Sequence, residues 1–148
     1  AAAAAVAEAN ISRLGLANRA EIRSGSWTDA DWAQGARFDV VLSNPPYIPT
    51  GDIDALEPEV ARFDPRLALD GGGDGLEAYR TLAPAIAAVL KPAGLWAVEI
   101  GLGQDTDVAR IFDAAGLPPA GERADLAGRL RVVYGFGPGV GDGKTILR

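Results

Sequence analysis

Val40-Val41-Leu42, a continuous apolar run within Phe38 to Ser43 that is cut off by Asn44-Pro45-Pro46, constrains this chain more than any other feature. A strand that is apolar on consecutive residues, with no polar alternation, is one covered on both faces, as in parallel sheets flanked by helices. Prolines 45 and 46 supply no backbone donor, so pairing must stop there and the chain must leave the sheet.

The segments around this strand follow the same logic. Ala1 to Leu14 is rich in strong helix formers, carries Val6, Ile11 and Leu14, and meets a natural stop at Gly15. Ala20 to Ser24, with Ile22 apolar, reads as a short strand running into the loop Gly25-Ser26-Trp27. From Leu76 the apolar positions Tyr79, Leu82, Ile86, Val89 and Leu90 recur at helical spacing as far as Lys91-Pro92-Ala93-Gly94, with Pro84 expected to kink the helix. Leu95 to Ile100 reads as a second core strand, Asp105 to Ala115 as a helix closed by Gly116, and Arg131 to Tyr134 as a final strand. This alternation predicts an α/β sheet with helices on both faces. Between Ile48 and Gly75 lies a stretch rich in Pro, Gly and Asp that is too long for a passive connector, and it is expected to be a functional loop.

Composition narrows the chemistry. The 148 residues suffice for one domain with a sizeable core. With no histidine and no cysteine, the commonest acid-base group, thiolate metal sites and disulfides are all excluded, leaving amides, carboxylates, aromatics and backbone. A net charge of -6 argues against a surface that neutralises phosphates, so no direct nucleic-acid partner is expected. No apolar run approaches a membrane span, and the alanine-rich start lacks a signal peptide's basic flank, which points to a cytoplasmic protein. The absence of methionine and the uncapped helical start suggest a piece of something longer.

Ligands of open α/β sheets sit beyond the carboxyl ends of parallel strands, where Asn44 stands. The Asn44 amide oxygen and the Pro45 carbonyl can together accept hydrogen bonds from one NH₂ group, while Tyr47 offers a ring to a planar amide or base. The Pro45-Pro46 pair stiffens these acceptors before a substrate arrives. Such a clamp suits alkylation of a poorly nucleophilic planar nitrogen, whose protons are held by acceptors while its lone pair meets a cationic methyl donor. An isolated Asn-Pro pair would ordinarily be a turn. Its place at the end of an apolar strand favours a site. Glu99, at the end of the next core strand, fits either support of this clamp or a solvated strand end, and Trp27 fits either a ligand contact or a lid over the core.

Asn44-Pro45-Pro46-Tyr47-Ile48-Pro49 continues to Leu56-Glu57-Pro58-Glu59-Val60, then to Pro65-Arg66-Leu67-Ala68-Leu69-Asp70-Gly71-Gly72, Asp74-Gly75-Leu76 and Tyr79-Arg80. With Glu99-Ile100-Gly101, Asp125-Leu126-Ala127-Gly128 and Arg131-Val132-Val133, this pattern resembles the release-factor glutamine methyltransferases (the PrmC/HemK family), within the class-I methyltransferase fold. The resemblance spans roughly residues 1 to 135, with 136 to 148 left as a flexible tail. It implies a Rossmann-like sheet that uses S-adenosylmethionine to methylate a glutamine side-chain amide in a peptide chain release factor. Asn44 and Pro45 would act on the amide NH₂, Pro46 and Tyr47 would complete the substrate site, and Trp27 and Asn44 would face the cofactor. The tail Gly137 to Thr145 imitates a phosphate-binding loop, but Pro138 stands where its first glycine belongs. Gly71 to Gly75 likewise follows no clean strand and reads as a turn.

The family's glycine-rich turn after the first strand, the acid ending the second, and its N-terminal helical domain match nothing in this chain. The resemblance therefore implies an incomplete sheet lacking its first two strands, with a gap between Ala20 to Ser24 and the strand ending at Ser43. Such a sheet is expected to pair differently, to self-associate through exposed edges, or to belong to a longer chain, and alone to hold cofactor weakly. Two rival readings are a nucleic-acid adenine or guanine N-methyltransferase, which shares the tetrapeptide but needs a basic surface, and a non-catalytic fragment that binds no cofactor.

Overall fold

A computed structural model describes residues 2–27 and 35–139, which fall into two compact units, Ala1–Gly35 and Ala36–Arg148. In the first, helix α1 spans Ala2–Arg13. Gly15, with φ +66°, ends it as expected: its N–H bonds the Ser12 carbonyl and the Leu16 N–H reaches back to Ile11 at 2.9 Å. The strand expected at Ala20 to Ser24 is not formed. Only Ile22 is apolar there, and the flanking Glu21 and Arg23 satisfy each other at 2.9 Å, so nothing drives that segment into a ladder.

The second unit holds one mixed sheet of β1 (Phe38–Ser43), β2 (Leu90–Glu99), β3 (Pro119–Ala124) and β4 (Leu130–Phe136), in the order β1-β2-β4-β3. β1 and β2 are parallel; β4 runs antiparallel to both β2 and β3. Since Ala20 to Ser24 is no strand, the expected gap inside the sheet does not arise, and the four strands are continuous and end at β1. That edge exposes Phe38, Val40 and Leu42, the last at 70%.

Three short helical pieces occupy the long Pro/Gly/Asp stretch: a 3-10 turn at Thr50–Ala55, then α2 (Pro58–Phe63) and α3 (Arg66–Leu69). Helix α4 spans Glu77–Val89 and contains Pro84 without ending there. It stops before Lys91-Pro92-Ala93-Gly94, which belongs to β2. The register jumps there: Phe38 pairs with Leu90 but Val40 with Leu95, so residues 91 to 94 of β2 stand opposite Asp39 alone. Ala93 at φ +61° makes the turn, and Lys91 Nζ grips both carboxylate oxygens of Asp39 at 2.9 Å.

Helix α5 (Asp105–Ala114) ends at Gly116, φ +79°, with Leu117 N–H returning to the Phe112 carbonyl. Pro119–Ala124 was not expected as a strand; it pairs with β4 through a hairpin whose turn is the Asp125-to-Gly128 segment, where the Asp125 carboxylate accepts from the Ala127 and Arg129 N–H groups. Order also runs past residue 135, because β4 includes Phe136 and Gly137 N–H bonds the Gly94 carbonyl at 2.8 Å. Residues 140–148, and with them most of the sequence resembling a phosphate-binding loop, lie outside the described residues.

Both long helices press on one face of the sheet. Tyr79, Leu82 and Ile86 of α4 and Val108 and Phe112 of α5 bury Trp96, Val98, Ile100 and Val133. Trp96 stacks on Phe112 with centroids 4.3 Å apart, and Gly135, its register partner, leaves room for the indole: a Cβ there would lie 2.7 Å from the ring. Helices on both faces, expected from the sequence, are not found among the described residues of this unit; the opposite face carries Leu42, Ala97, Glu99 and Val132.

Asp74 starts α4. Its carboxylate accepts from the Leu76 N–H at 3.0 Å and holds Arg80 through both oxygens, and the Arg80 guanidinium and then the Leu76 N–H lower its pKa from 3.8 to about 2. A depressed carboxylate stabilises the fold above its unfolded pKa and loses that contribution as pH falls through the folded one. In the full-length protein, Asp74→Asn is therefore expected to lower stability at neutral pH, and its deficit relative to wild type should vanish between about pH 4 and about pH 2. Denaturant titrations of both proteins across that range check this; a deficit independent of pH contradicts it.

Candidate functional site

The end of β1 delivers the tetrapeptide to the carboxyl edge of the sheet. Pro45 is almost wholly buried and anchors the turn, whereas Asn44 is exposed, and its side chain has no hydrogen-bond partner among the described residues. Its amide oxygen is therefore available to a ligand. Asn44 borders an open depression of about 390 Å³ between the ends of β1 and β2, lined also by Leu42, Ser43, Ala97, Glu99 and Val132.

Tyr47 is held at both ends. Its hydroxyl donates to Glu99 Oε1 at 3.2 Å, which ties the ring to the end of β2, and Gln104 Nε2 donates to its carbonyl at 3.0 Å. Burial, and next the negative charge of Glu99, push the Tyr47 hydroxyl above the usual phenol range, so it remains a neutral donor. Glu99, half-buried at the end of β2, thus has the Tyr47 hydroxyl as a partner.

The Pro/Gly/Asp stretch folds back as a brace. Ile48 and Asp70 form a parallel bridge: Ile48 N–H bonds the Leu69 carbonyl, Gly71 N–H bonds Ile48, and Thr50 N–H bonds Gly72, all at 2.9–3.0 Å. Thr50 Oγ1 donates to Asp70 at 2.6 Å, and this bond, followed by the Gly72 N–H, lowers the Asp70 pKa. Glycine is required where these segments meet. A Cβ at Gly71 would stand 2.9 Å from the Tyr47 Cα; at Gly75, 2.6 Å from the Tyr47 carbonyl; at Gly101, 2.7 Å from Gln104 and 3.1 Å from the Tyr47 ring.

Sequence reasoning missed Gln104, which the turn Gly101-Leu102-Gly103 places beneath the tetrapeptide. Its Oε1 accepts from the Gly101 N–H at 2.9 Å, and its Nε2 donates to the Tyr47 and Gly75 carbonyls at 3.0 and 3.3 Å. Tyr79, fully buried, donates to the Glu99 carbonyl at 2.9 Å; burial and then Tyr47 push its hydroxyl far above the usual range. The signal for Gln104 was a lone amide directly after a strand end, between glycines and a helix.

The structure thus brings Asn44, Pro45, Pro46 and Tyr47 to one strand end and adds Glu99. Trp27 lies in the first unit, at a turn and 38% exposed. The depression combines apolar surface from Leu42, Ala97 and Val132 with polar groups from Ser43, Asn44 and Glu99. No group of three or more His, Cys, Asp or Glu arranged to hold a metal occurs among the described residues, and no helix among them is long and apolar enough to cross a membrane.

No family model matches the chain. It is 52% identical over 126 residues to a release factor glutamine methyltransferase of Rhodospirillum rubrum, covering 85% of this chain and 38% of that protein. Over 133 residues it is 53% identical to the protein of that name from Caulobacter vibrioides, covering 90% and 45%. It thus spans less than half the length of these relatives. Among solved structures it is similar to an O-methyltransferase family protein from Burkholderia thailandensis, with a TM-score of 0.57 at 18% identity, covering 91% of this chain and 41% of that one. A methyltransferase from Pyrococcus furiosus gives a TM-score of 0.56 at 17% identity, covering 89% and 56%. These likenesses establish the fold, an incomplete Rossmann-like sheet of the class-I methyltransferases.

Proposed function

We propose that this chain, which has the sequence of the release factor glutamine methyltransferases over most of its length, forms the substrate-holding part of an enzyme that moves a methyl group from S-adenosylmethionine to the side-chain amide nitrogen of a glutamine in a peptide chain release factor. The observation that carries this reading is the Asn44 amide, exposed and unpartnered, beside a Tyr47 fixed at its hydroxyl and its carbonyl.

An amide nitrogen is a poor nucleophile because its lone pair is delocalised into the carbonyl. Asn44 Oδ1 and the Pro45 carbonyl accept its two N–H groups and so hold the nitrogen at a fixed point, with its protons turned away from the incoming carbon. The Tyr47 ring lies against the amide plane, and the bond to Glu99 keeps it from rotating away. The cofactor, when bound, supplies an electrophilic methyl on a cationic sulfur. Accepting that methyl would form one N–C bond as the carbon–sulfur bond breaks and leaves a neutral thioether, and the amide would lose one N–H proton, for which the open depression gives a path to water. By its resemblance to the family, Trp27 matches a position beside the cofactor, where an aromatic ring can lie against adenine. A substrate in translation termination implies work in the cytoplasm.

The acidic balance and the relatives' names favour a protein substrate over an exocyclic amine of a nucleic acid. Incubating the full-length protein with methyl-labelled S-adenosylmethionine and, separately, a release factor, duplex DNA and RNA should label the release factor alone. Label in either nucleic acid would overturn the assignment.

A further inference from the structure

The Gln104 side chain joins the segments carrying Tyr47, Gly75 and Gly101. Its orientation is unambiguous, since the oxygen meets an N–H, a donor only, and the nitrogen meets two carbonyls, acceptors only. Tyr79 lies 3.4 Å from the same oxygen, but its single proton goes to the nearer Glu99 carbonyl. Three of the amide's hydrogen-bonding sites are therefore filled, and each ties down backbone near the tetrapeptide. The Gln104 carbonyl separately accepts the Val108 N–H in the first turn of α5, so this support stands on a helix of the main core.

From this geometry we infer that Gln104 is a positioning residue for methyl transfer: through its NH₂ it fixes the Tyr47 carbonyl, and so the height and tilt of the Tyr47 ring and of the Asn44–Pro45 acceptors, relative to the strand ends. The inference rests on the proposed substrate reading and adds a residue to it. Gln104 touches backbone and not substrate, so it sets how well a bound amide is held for reaction. Misplacement on the scale of an ångström reduces turnover steeply without abolishing binding.

The decisive variant is Gln104→Glu, nearly isosteric, which keeps the acceptor for Gly101 but turns an oxygen toward the Tyr47 and Gly75 carbonyls. In the full-length protein, assayed well below its melting temperature, its kcat should fall by about tenfold or more while the KM for release factor changes about twofold or less. Gln104→Ala should show the same split. Wild-type kcat in Gln104→Glu would overturn the inference, and so would a kcat that returns to the wild-type value at an assay temperature where the variant is fully folded, which would make the residue merely structural. A wild-type protein that transfers no methyl to release factor would defeat the substrate reading. The brace is then read by NMR: slow solvent exchange of the Gln104 side-chain NH₂, lost in Gln104→Glu, supports it, and fast exchange in the wild type overturns it.

Discussion

Replacing Asn44 by alanine is expected to lower methyl transfer by about a hundredfold in the full-length protein and to leave its fold intact. The rate effect follows from removing one acceptor proposed to face the reacting nitrogen, worth on the order of 3 kcal/mol at the transition state. The structural effect is small because the side chain is exposed and bonded to no described residue, and such surface changes stay within about 0.5 kcal/mol. Pro45, not Asn44, is the buried member that fixes the turn. Steady-state rates and thermal unfolding on the same preparation check both halves. Near wild-type turnover removes Asn44 from the site, and a large loss of stability shows a bond that the geometry does not contain.

Gly75→Ala is expected to be the most damaging single-methyl change near the site, destabilising the protein by about 2 to 4 kcal/mol and lowering methyl transfer with it. Two separable causes add. The residue has φ +74°, which is costly for any side chain, and the new Cβ would stand 2.6 Å from the Tyr47 carbonyl and 2.8 Å from Gln104 Nε2. Neither neighbour can retreat cheaply, because one is backbone and the other is held by three bonds. Gly103 and Gly73 dissect the sum. Gly103 has φ +78° but open space around its Cβ direction, so Gly103→Ala should show only the backbone part, about 1 to 2 kcal/mol. Gly73 has neither problem, and Gly73→Ala should be near neutral. Chemical denaturation of the three variants gives the order Gly75, Gly103, Gly73; equal losses at 75 and 103 would show that the approach to Tyr47 carries no energy.

The strand β1 and the tetrapeptide were legible because they depend on local chemistry: a run of β-branched and apolar residues favours an extended strand, and two prolines end it wherever the chain goes next. The cover on both faces that the run implied is absent among the described residues, since β1 is the sheet edge and Leu42 is 70% exposed. The glycine stops of α1 and α5 were legible on the same local grounds. Features set by partners distant in sequence were not. Pro119–Ala124 has no apolar alternation and becomes a strand only because β4 lies beside it. Lys91-Pro92-Ala93-Gly94 reads as a helix stop, and indeed no helix continues through it, but its place as a bulge in β2 comes from pairing with β1 on either side. Ala20 to Ser24 had the length of a strand without enough apolar surface to hold one. Gln104 is the clearest case. A polar residue after Gly-Leu-Gly looks like a solvated turn, and its role exists only once residues 47, 75 and 101 converge on it. Tyr79 had been counted on the apolar face of α4, and it does sit in the core; what its spacing left unseen was the hydroxyl reaching the Glu99 carbonyl.

The most direct test of the account is tandem mass spectrometry of a release factor after reaction with the full-length protein and S-adenosylmethionine. The clamp predicts one added methyl, on the side-chain amide nitrogen of a single glutamine, and its disappearance with Asn44→Ala. A methyl on a lysine, an arginine or a carboxylate, or an unmodified release factor in the presence of active enzyme, would contradict the claim that Asn44, Pro45 and Tyr47 hold an amide for alkylation.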